Sequence, residues 1–470
     1  MQNSHTHTLA IDQGTHASRC LLFDQMGRTV KSCWRNIELQ CIDNKHIEQD
    51  ASQLLASVTD SLTELLQSTD NTLRKSITAC GISTQRSTVV ICDSQGNAIH
   101  PALSWQDTRA SNHLDSLKQQ HAEIQSISGL PVSAHYGASK LRWLYKHTAA
   151  QKTGAFKLAP LVSYLLLHLL ENQIYSVDHS NAQRTQLMNL SRLDWSEKLC
   201  SLFEVPDSCL PAIRPIVSHY GYLTSNRIPV TAVCGDQNAA VFGAGFIPDT
   251  ETAIINIGSG AFILRMLAKL SRSQKQLTGI GYSTDKTVRY VREGTVNGAG
   301  TALSWFEQQF DVENLYTRLP DWLQSIKDPP LFINTIGGLG SPWWQSDLQA
   351  RFVPEQDNDI PAKAVAVIES ILFLLMDNFI LMKREQMLRQ ILISGGLSRL
   401  DGLCQKLANL SGLTVQRFDN PEATARGSAW LAAGQPEHWA LQPQQSFEPQ
   451  TDSALQQRYQ IFSTELATTL

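Results

Sequence analysis

The chain is poor in charge. Only 17% of its 470 residues are charged, and 39 Lys and Arg stand against 43 Asp and Glu, a net charge of −4. There is no basic surplus of the kind that draws a protein to nucleic acid, so no such partner is expected. The nine cysteines are an odd number with no C-x-x-C pair, which argues against a disulfide framework and leaves reduced core thiols. No His, Cys and Glu group has metal-ligand spacing. Walker-type G-K-[ST] loops, a helix-opening G-x-G-x-x-G and a G-x-S-x-G elbow are all missing, which disfavours P-loop, nicotinamide and serine-hydrolase chemistry. Met1 to Ala10 is polar, with no basic region followed by an apolar run, so neither secretion nor mitochondrial import is indicated. The most apolar long stretch, Val365 to Met382, is broken by Glu369 and Asp377. It reads as a buried helix, and the expectation is a cytoplasmic protein without a membrane partner.

What is present is 42% hydrophobic residues over a length too great for one core, so two or three domains are expected. Leu9-Ala10-Ile11, Asp12-Gln13-Gly14-Thr15 and Cys20-Leu21-Leu22-Phe23 read as strand, turn, strand. The pattern returns as Ala253-Ile254-Ile255, Asn256-Ile257-Gly258-Ser259-Gly260 and Ala261-Phe262-Ile263-Leu264. Two such turns, one opening each half, predict two units on one plan, 1–245 and 246–470. Helices are predicted near 51–66, 138–145, 160–170, 362–386 and 400–410, with strands at 77–83, 89–92, 230–233 and 391–394. The Gln- and Pro-rich stretch after Gly434 reads as loop until a short helix near 455–466.

The chemistry is read from the turns. Glycine lets backbone N–H groups close on phosphate oxygens, to which Gly14 and the Thr15 hydroxyl would contribute, and Arg19 is a further candidate donor. Asp12, at a strand end, can face a magnesium ion through water. Gly258-Ser259-Gly260 repeats the turn without an acid, as a clamp on the same polyphosphate. The strand ending in Gly235-Asp236-Gln237 places a carboxylate where a domain cleft is expected. An alcohol must lose its proton as it attacks phosphorus, and Asp236 can take it; the same carboxylate could instead cap the helix that follows. Gln85-Arg86-Ser87-Thr88, Trp105 to Arg109, Asp178 to Ala182, His16 and His135 are equally compatible with buried polar networks and with ligand contacts.

In order and spacing these pieces resemble the FGGY family of carbohydrate kinases, with Glu293-Gly294, Gly338-Leu339-Gly340-Ser341-Pro342 and Ser394-Gly395-Gly396 completing the pattern. The resemblance implies an α/β protein of two actin-like, ribonuclease-H-like domains, each a mixed sheet flanked by helices, with ATP and Mg2+ in the cleft. It implies Asp236 as catalytic base, with Asp12 and Asp236 at the metal. It also implies phosphate contacts at Thr15, Ser259 and Gly260, nucleotide contacts at Gly300 and Gly396, and acceptor contacts at Arg86, Trp105, Gln237 and Phe262. The acceptor would be a small polyol or sugar, and assembly, including a homo-oligomer, is left open.

Within the family the pattern is closest to the glycerol kinases, and it departs from them in places. Ser87 stands where they carry glutamate and His135 where they carry a glycerol-contacting tyrosine. Losing a charged acceptor costs about 1.5–3 kcal/mol if nothing replaces it. The expectation is therefore an acceptor other than glycerol, a tetritol, pentitol or ketopentose, with glycerol kinase as the alternative and a non-catalytic nucleotide-binding regulator as the rival of another class. Leu400 and Ser304 replace an asparagine and a glutamine near the nucleotide, which bears on strict ATP preference.

Overall fold

The computed structural model describes residues 6–148, 156–346, 348–354, 359–418, 420 and 422–470. In the first half, strand His7–Gln13 pairs antiparallel with Ala17–Phe23, which pairs antiparallel with Thr29–Asn36. On its other side it runs parallel to Ile77–Thr84, and that strand runs parallel to Pro229–Gly235. In the second half, Thr252–Ile257 pairs antiparallel with Ala261–Leu267 and that with Val288–Val296, while its other side runs parallel to Gln390–Ser394 and then to Thr414–Arg417. The two sheets thus repeat one order, and the two predicted strand-turn-strands occupy equivalent places in it. Leu9, Ala10 and Ile11 are fully buried, as a run without alternation requires when both faces of a sheet are covered.

Helix Ala51–Gln67 covers the first sheet and starts at Asp50, whose carboxylate accepts the N–H groups of Ser52 and Gln53. Helix Ile360–Glu385 is long and apolar enough to cross a bilayer by length and composition, but it forms the second core, with 83% of its most apolar window buried. Glu369 within it pairs with Lys406 and Arg458, which explains how a carboxylate survives there. A third sheet of five strands is inserted in the first half. It includes Ile47–Gln49, Val89–Asp93, Ala102–Leu103 and Phe156–Pro160, and helix Gly137–His147 packs on it.

The second half is not confined to the second sheet. Helix Ala423–Ala432 returns to the first, packing on Ile77–Thr84, His7–Gln13 and helix Asp236–Val241. The approach is backbone to backbone: a Cβ on Gly81 would stand 2.1 Å from the Ser428 carbonyl oxygen, and one on Gly427 would stand 1.9 Å from that of Ala239. After Gly434 the chain adds an edge strand, Gln445–Phe447, to the second sheet and ends in helix Ser453–Thr469, longer than the predicted 455–466. Leu455, Phe462 and Leu466 are buried on the second core.

Candidate active site

Asp12 lies at the end of its strand and its Oδ1 accepts the Ser83 hydroxyl at 2.9 Å. Burial raises its carboxyl to about 7; the Ser83 bond opposes this and the nearby Asp236 charge adds to it. The turn beyond is closed by the Gly14 N–H donating to the Ala17 carbonyl at 2.9 Å. Thr15 is held from outside, its hydroxyl accepting the Trp105 indole N–H at 3.0 Å. Arg19 does not project freely: its guanidinium pairs with Glu422 at 3.0 Å.

Asp236 is the first residue of its helix, with Gly235 at the capping position, and its Oδ1 accepts the Gln237 N–H at 2.7 Å. Burial raises its carboxyl, and the charge of Arg86, whose Nε is 3.7 Å away, opposes that. Gly235 makes room for this arginine, because a Cβ there would meet Arg86 Cδ at 2.5 Å. Arg86 also donates to Asn238 at 3.1 Å and lies 3.9 Å from Glu293 of the second half. Arg184 pairs with the other oxygen of Glu293, whose carboxyl the two arginines hold below its ordinary range against burial. Ser87 takes a left-handed backbone, φ 65°, and its hydroxyl donates to the Arg184 carbonyl at 3.3 Å.

The rings of Trp105 and His135 meet edge to face, 5.5 Å apart. His135 is exposed at its surface, and the protein crowded around it, with the charges of Lys140, Arg184 and Arg86, lowers its imidazole below the ordinary range. Lys140 lies beneath both, fully buried, donating to the His135 carbonyl at 2.8 Å and the Trp105 carbonyl at 3.3 Å. Nothing in the sequence singled out Lys140; a lysine in an amphipathic helix carries no signal of burial. Phe262 is half-buried, in register with Asn256 and Thr295 on the hairpin after the second glycine turn.

That second turn closes by the Gly258 N–H donating to the Gly260 carbonyl at 2.9 Å, and the Gly300 N–H donates to the Gly258 carbonyl at 2.9 Å. Ser259 at its tip accepts the Thr301 N–H on its carbonyl at 3.0 Å. Gly396 opens on a cavity of about 540 Å³ between the halves, whose lining includes Ala240, Asn256, Arg399, Arg417, Phe418 and Gln444. Leu400 and Ser304 are not in that lining: the Leu400 side chain turns into the second core, and Ser304 is exposed on helix Gly300–Phe310. Arg417 and Gln444 were not anticipated, because each comes from a strand end or loop with no local motif; Asn256 stood in the second turn's string without being assigned a role.

The profile of the FGGY family of carbohydrate kinases, N-terminal domain, matches residues 7–243, and that of its C-terminal domain matches 253–435. The chain belongs to the FGGY family of carbohydrate kinases. As an FGGY kinase it is an ATP-dependent phosphotransferase acting on a carbohydrate or polyol, and the non-catalytic regulator is set aside. The chain is 31% identical to a glycerol kinase of Stenotrophomonas maltophilia, over 99% of this chain and 98% of that one. It is 30% identical to a glycerol kinase of Natranaerobius thermophilus, over 92% and 90%. Its fold matches that of Plasmodium falciparum glycerol kinase with ADP at a TM-score of 0.88 and 24% identity, covering 99% of this chain and 98% of that one.

These likenesses overturn the expectation of an acceptor other than glycerol. Curated relatives from Acinetobacter and Listeria, matching over 91% of this FGGY kinase, are glycerol kinases as well. The pocket supplies the physical reason why Ser87 and His135 were given too much weight. The buried Ser87 hydroxyl is bonded to the Arg184 carbonyl, and Glu293 brings a carboxylate to the arginine that the missing glutamate would have accompanied.

Proposed function

We propose that this FGGY kinase transfers the γ-phosphoryl group of ATP to a hydroxyl of glycerol, with Asp236 as general base. The observation that carries the reading is the Asp236 carboxylate at a helix head, 3.7 Å from Arg86 and coupled in charge to Asp12. Arg86 would donate to one glycerol hydroxyl, and the Trp105 and Phe262 rings would cover the carbon chain. Asp236 would accept the proton of the attacking hydroxyl; burial raises its carboxyl, which suits a base, and the charge of Arg86 opposes that rise. The backbone of Gly14 and Gly258 to Gly260, with the Thr15 and Ser259 hydroxyls, would hold the phosphates, and the cavity at Gly396 would take the nucleoside.

The donor set fits Mg2+. Asp12 and Asp236, both half-buried, repel one another, no group of three acidic or histidine ligands is found among the described residues, and water and phosphate oxygens would complete six positions. When bound, the ion would neutralise charge on the transferring phosphoryl. The unpaired cysteines, seven of the nine buried, and the need for ATP support a cytoplasmic enzyme.

Coupled ADP release with glycerol tests the assignment. Asp236→Asn should keep ATP binding and thermal stability while glycerol-dependent turnover drops about 10²–10⁴-fold. Near wild-type turnover in that variant would remove Asp236 from the base role.

A further inference from the structure

Five strand ends meet behind the first glycine turn, and their polar side chains bond to one another. Trp105 donates twice. Its indole N–H goes to the Thr15 hydroxyl at 3.0 Å and its backbone N–H to the Thr88 hydroxyl at 3.1 Å. Thr88 donates to Gln85 Oε1 at 3.0 Å, Gln85 Nε2 to Gln49 Oε1 at 3.0 Å, and Gln49 Nε2 to the Thr15 carbonyl at 2.8 Å. Both branches start at Trp105 and end on Thr15. Thr88, Gln85 and Gln49 are at most 2% exposed. A buried amide leaves its partner unsatisfied if it turns, so the chain of donors runs in one fixed sense. The Thr15 oxygen already accepts from the indole, so its own proton points away from Trp105 and is left to be donated.

We propose that this ring makes Gln49 and Gln85 positioning residues for phosphoryl transfer, by which an acceptor seated against Trp105 fixes Thr15 as a donor to the transferring phosphate. The inference rests on the glycerol kinase reading for the acceptor, and on the ring alone for the link. Gln49 touches neither ligand position; it acts through the Thr15 carbonyl. The ring joins the inserted five-stranded sheet, which carries Gln49, Thr88 and Trp105, to the first sheet, which carries Gln85 and the turn. Chemistry would then be favoured only when the acceptor side is filled, which limits transfer to water.

Two variants separate this role from a merely structural one. Gln49→Leu removes one branch at similar volume, and Trp105→Phe removes the indole donor but keeps a ring. The expected result is that the stimulation of ATP consumption by glycerol falls at least tenfold in each, with ATP affinity within twofold of wild type. The double variant should be little worse than the more impaired single one, because both act through Thr15. Unchanged stimulation in both singles, or effects that multiply independently, would overturn the proposal.

Amide hydrogen exchange supplies a readout that needs no acceptor. With ATP bound, residues 14–17 should exchange at least fivefold faster in either variant, while strand Ile77–Thr84 stays protected. Unchanged exchange at the turn would sink the link even if wild type proved inactive on glycerol, an outcome that would count against the acceptor assignment alone.

Discussion

Asp12 illustrates how burial near a second carboxylate governs stability and ligand response together. Its carboxyl is raised to about 7 in the nucleotide-free protein, first by burial. A carboxyl raised on folding contributes stability that is fully present below its ordinary range and lost as pH rises through 7. Asp12→Asn should therefore melt about 2–4 °C above wild type at pH 8, with a smaller gap at pH 5. Saturating Mg2+ and ATP should reverse the order at pH 8, since a cation favours the ionised aspartate. Thermal denaturation with and without MgATP measures both, and an apo variant less stable than wild type at pH 8 would contradict the sign. The places of Asp12 and Thr15 at the first turn and of Asp236 at a strand-to-helix junction were legible in the sequence, because apolar strand residues and a glycine mark both spots. Arg19, Ser87 and Leu400 were less so: position in a pattern does not say which way a side chain turns, and these turn to Glu422, to a backbone carbonyl and into the core. Gln49 and Lys140 left no trace at all, since their roles exist only where distant strand ends meet.

Helix Ala423–Ala432 and the helix headed by Asp236 touch through backbone at Gly427. A methyl group there would stand 1.9 Å from the Ala239 carbonyl oxygen, and neither backbone can yield without moving its helix. Gly427→Ala should cost about 1–3 kcal/mol in urea unfolding and should also lower kcat, because Asp236 rides on the displaced helix. A variant that loses stability while kcat is unchanged would show that the shift is absorbed by Ala423–Ala432 alone. The helix itself was not singled out in the sequence, and its packing on the first sheet could not be, since chain order assigns it to the second half. By contrast the helices at 51–67 and 360–385 were legible from apolar spacing, and the two strand-turn-strands from their repetition. The three-residue strand Gln445–Phe447 is too short to show alternation and was read as loop.

The two halves are joined near the acceptor pocket by one carboxylate between two arginines. Glu293 pairs with Arg184 and approaches Arg86; Glu293 and Arg184 are buried, and the Arg86 side chain is 10% exposed. Its carboxyl is held below its ordinary range, so its contribution is present at neutral pH and lost as pH falls through the lowered value. Glu293→Gln keeps the shape and removes the charge, leaving buried Arg184 without its ion-pair partner and Arg86 with Asp236 as its remaining carboxylate neighbour. The loss should reach about 3 kcal/mol at neutral pH and shrink in acid, where wild type has lost the same charge. The damage should also show in how the molecule unfolds. With the bridge gone the halves stay joined, by helix Ala423–Ala432 on the first sheet, by strand Leu277–Ser283 against helix His179–Gln183 and by the Asn238 amide donating to the Ile280 carbonyl, so calorimetry should show one transition at a lower temperature than wild type. Glycerol affinity should fall with it, because Arg86 loses the partner that fixes it beside Asp236. An unchanged transition temperature would mean that these other contacts make the bridge dispensable for stability, and that Glu293 serves only to fix Arg86.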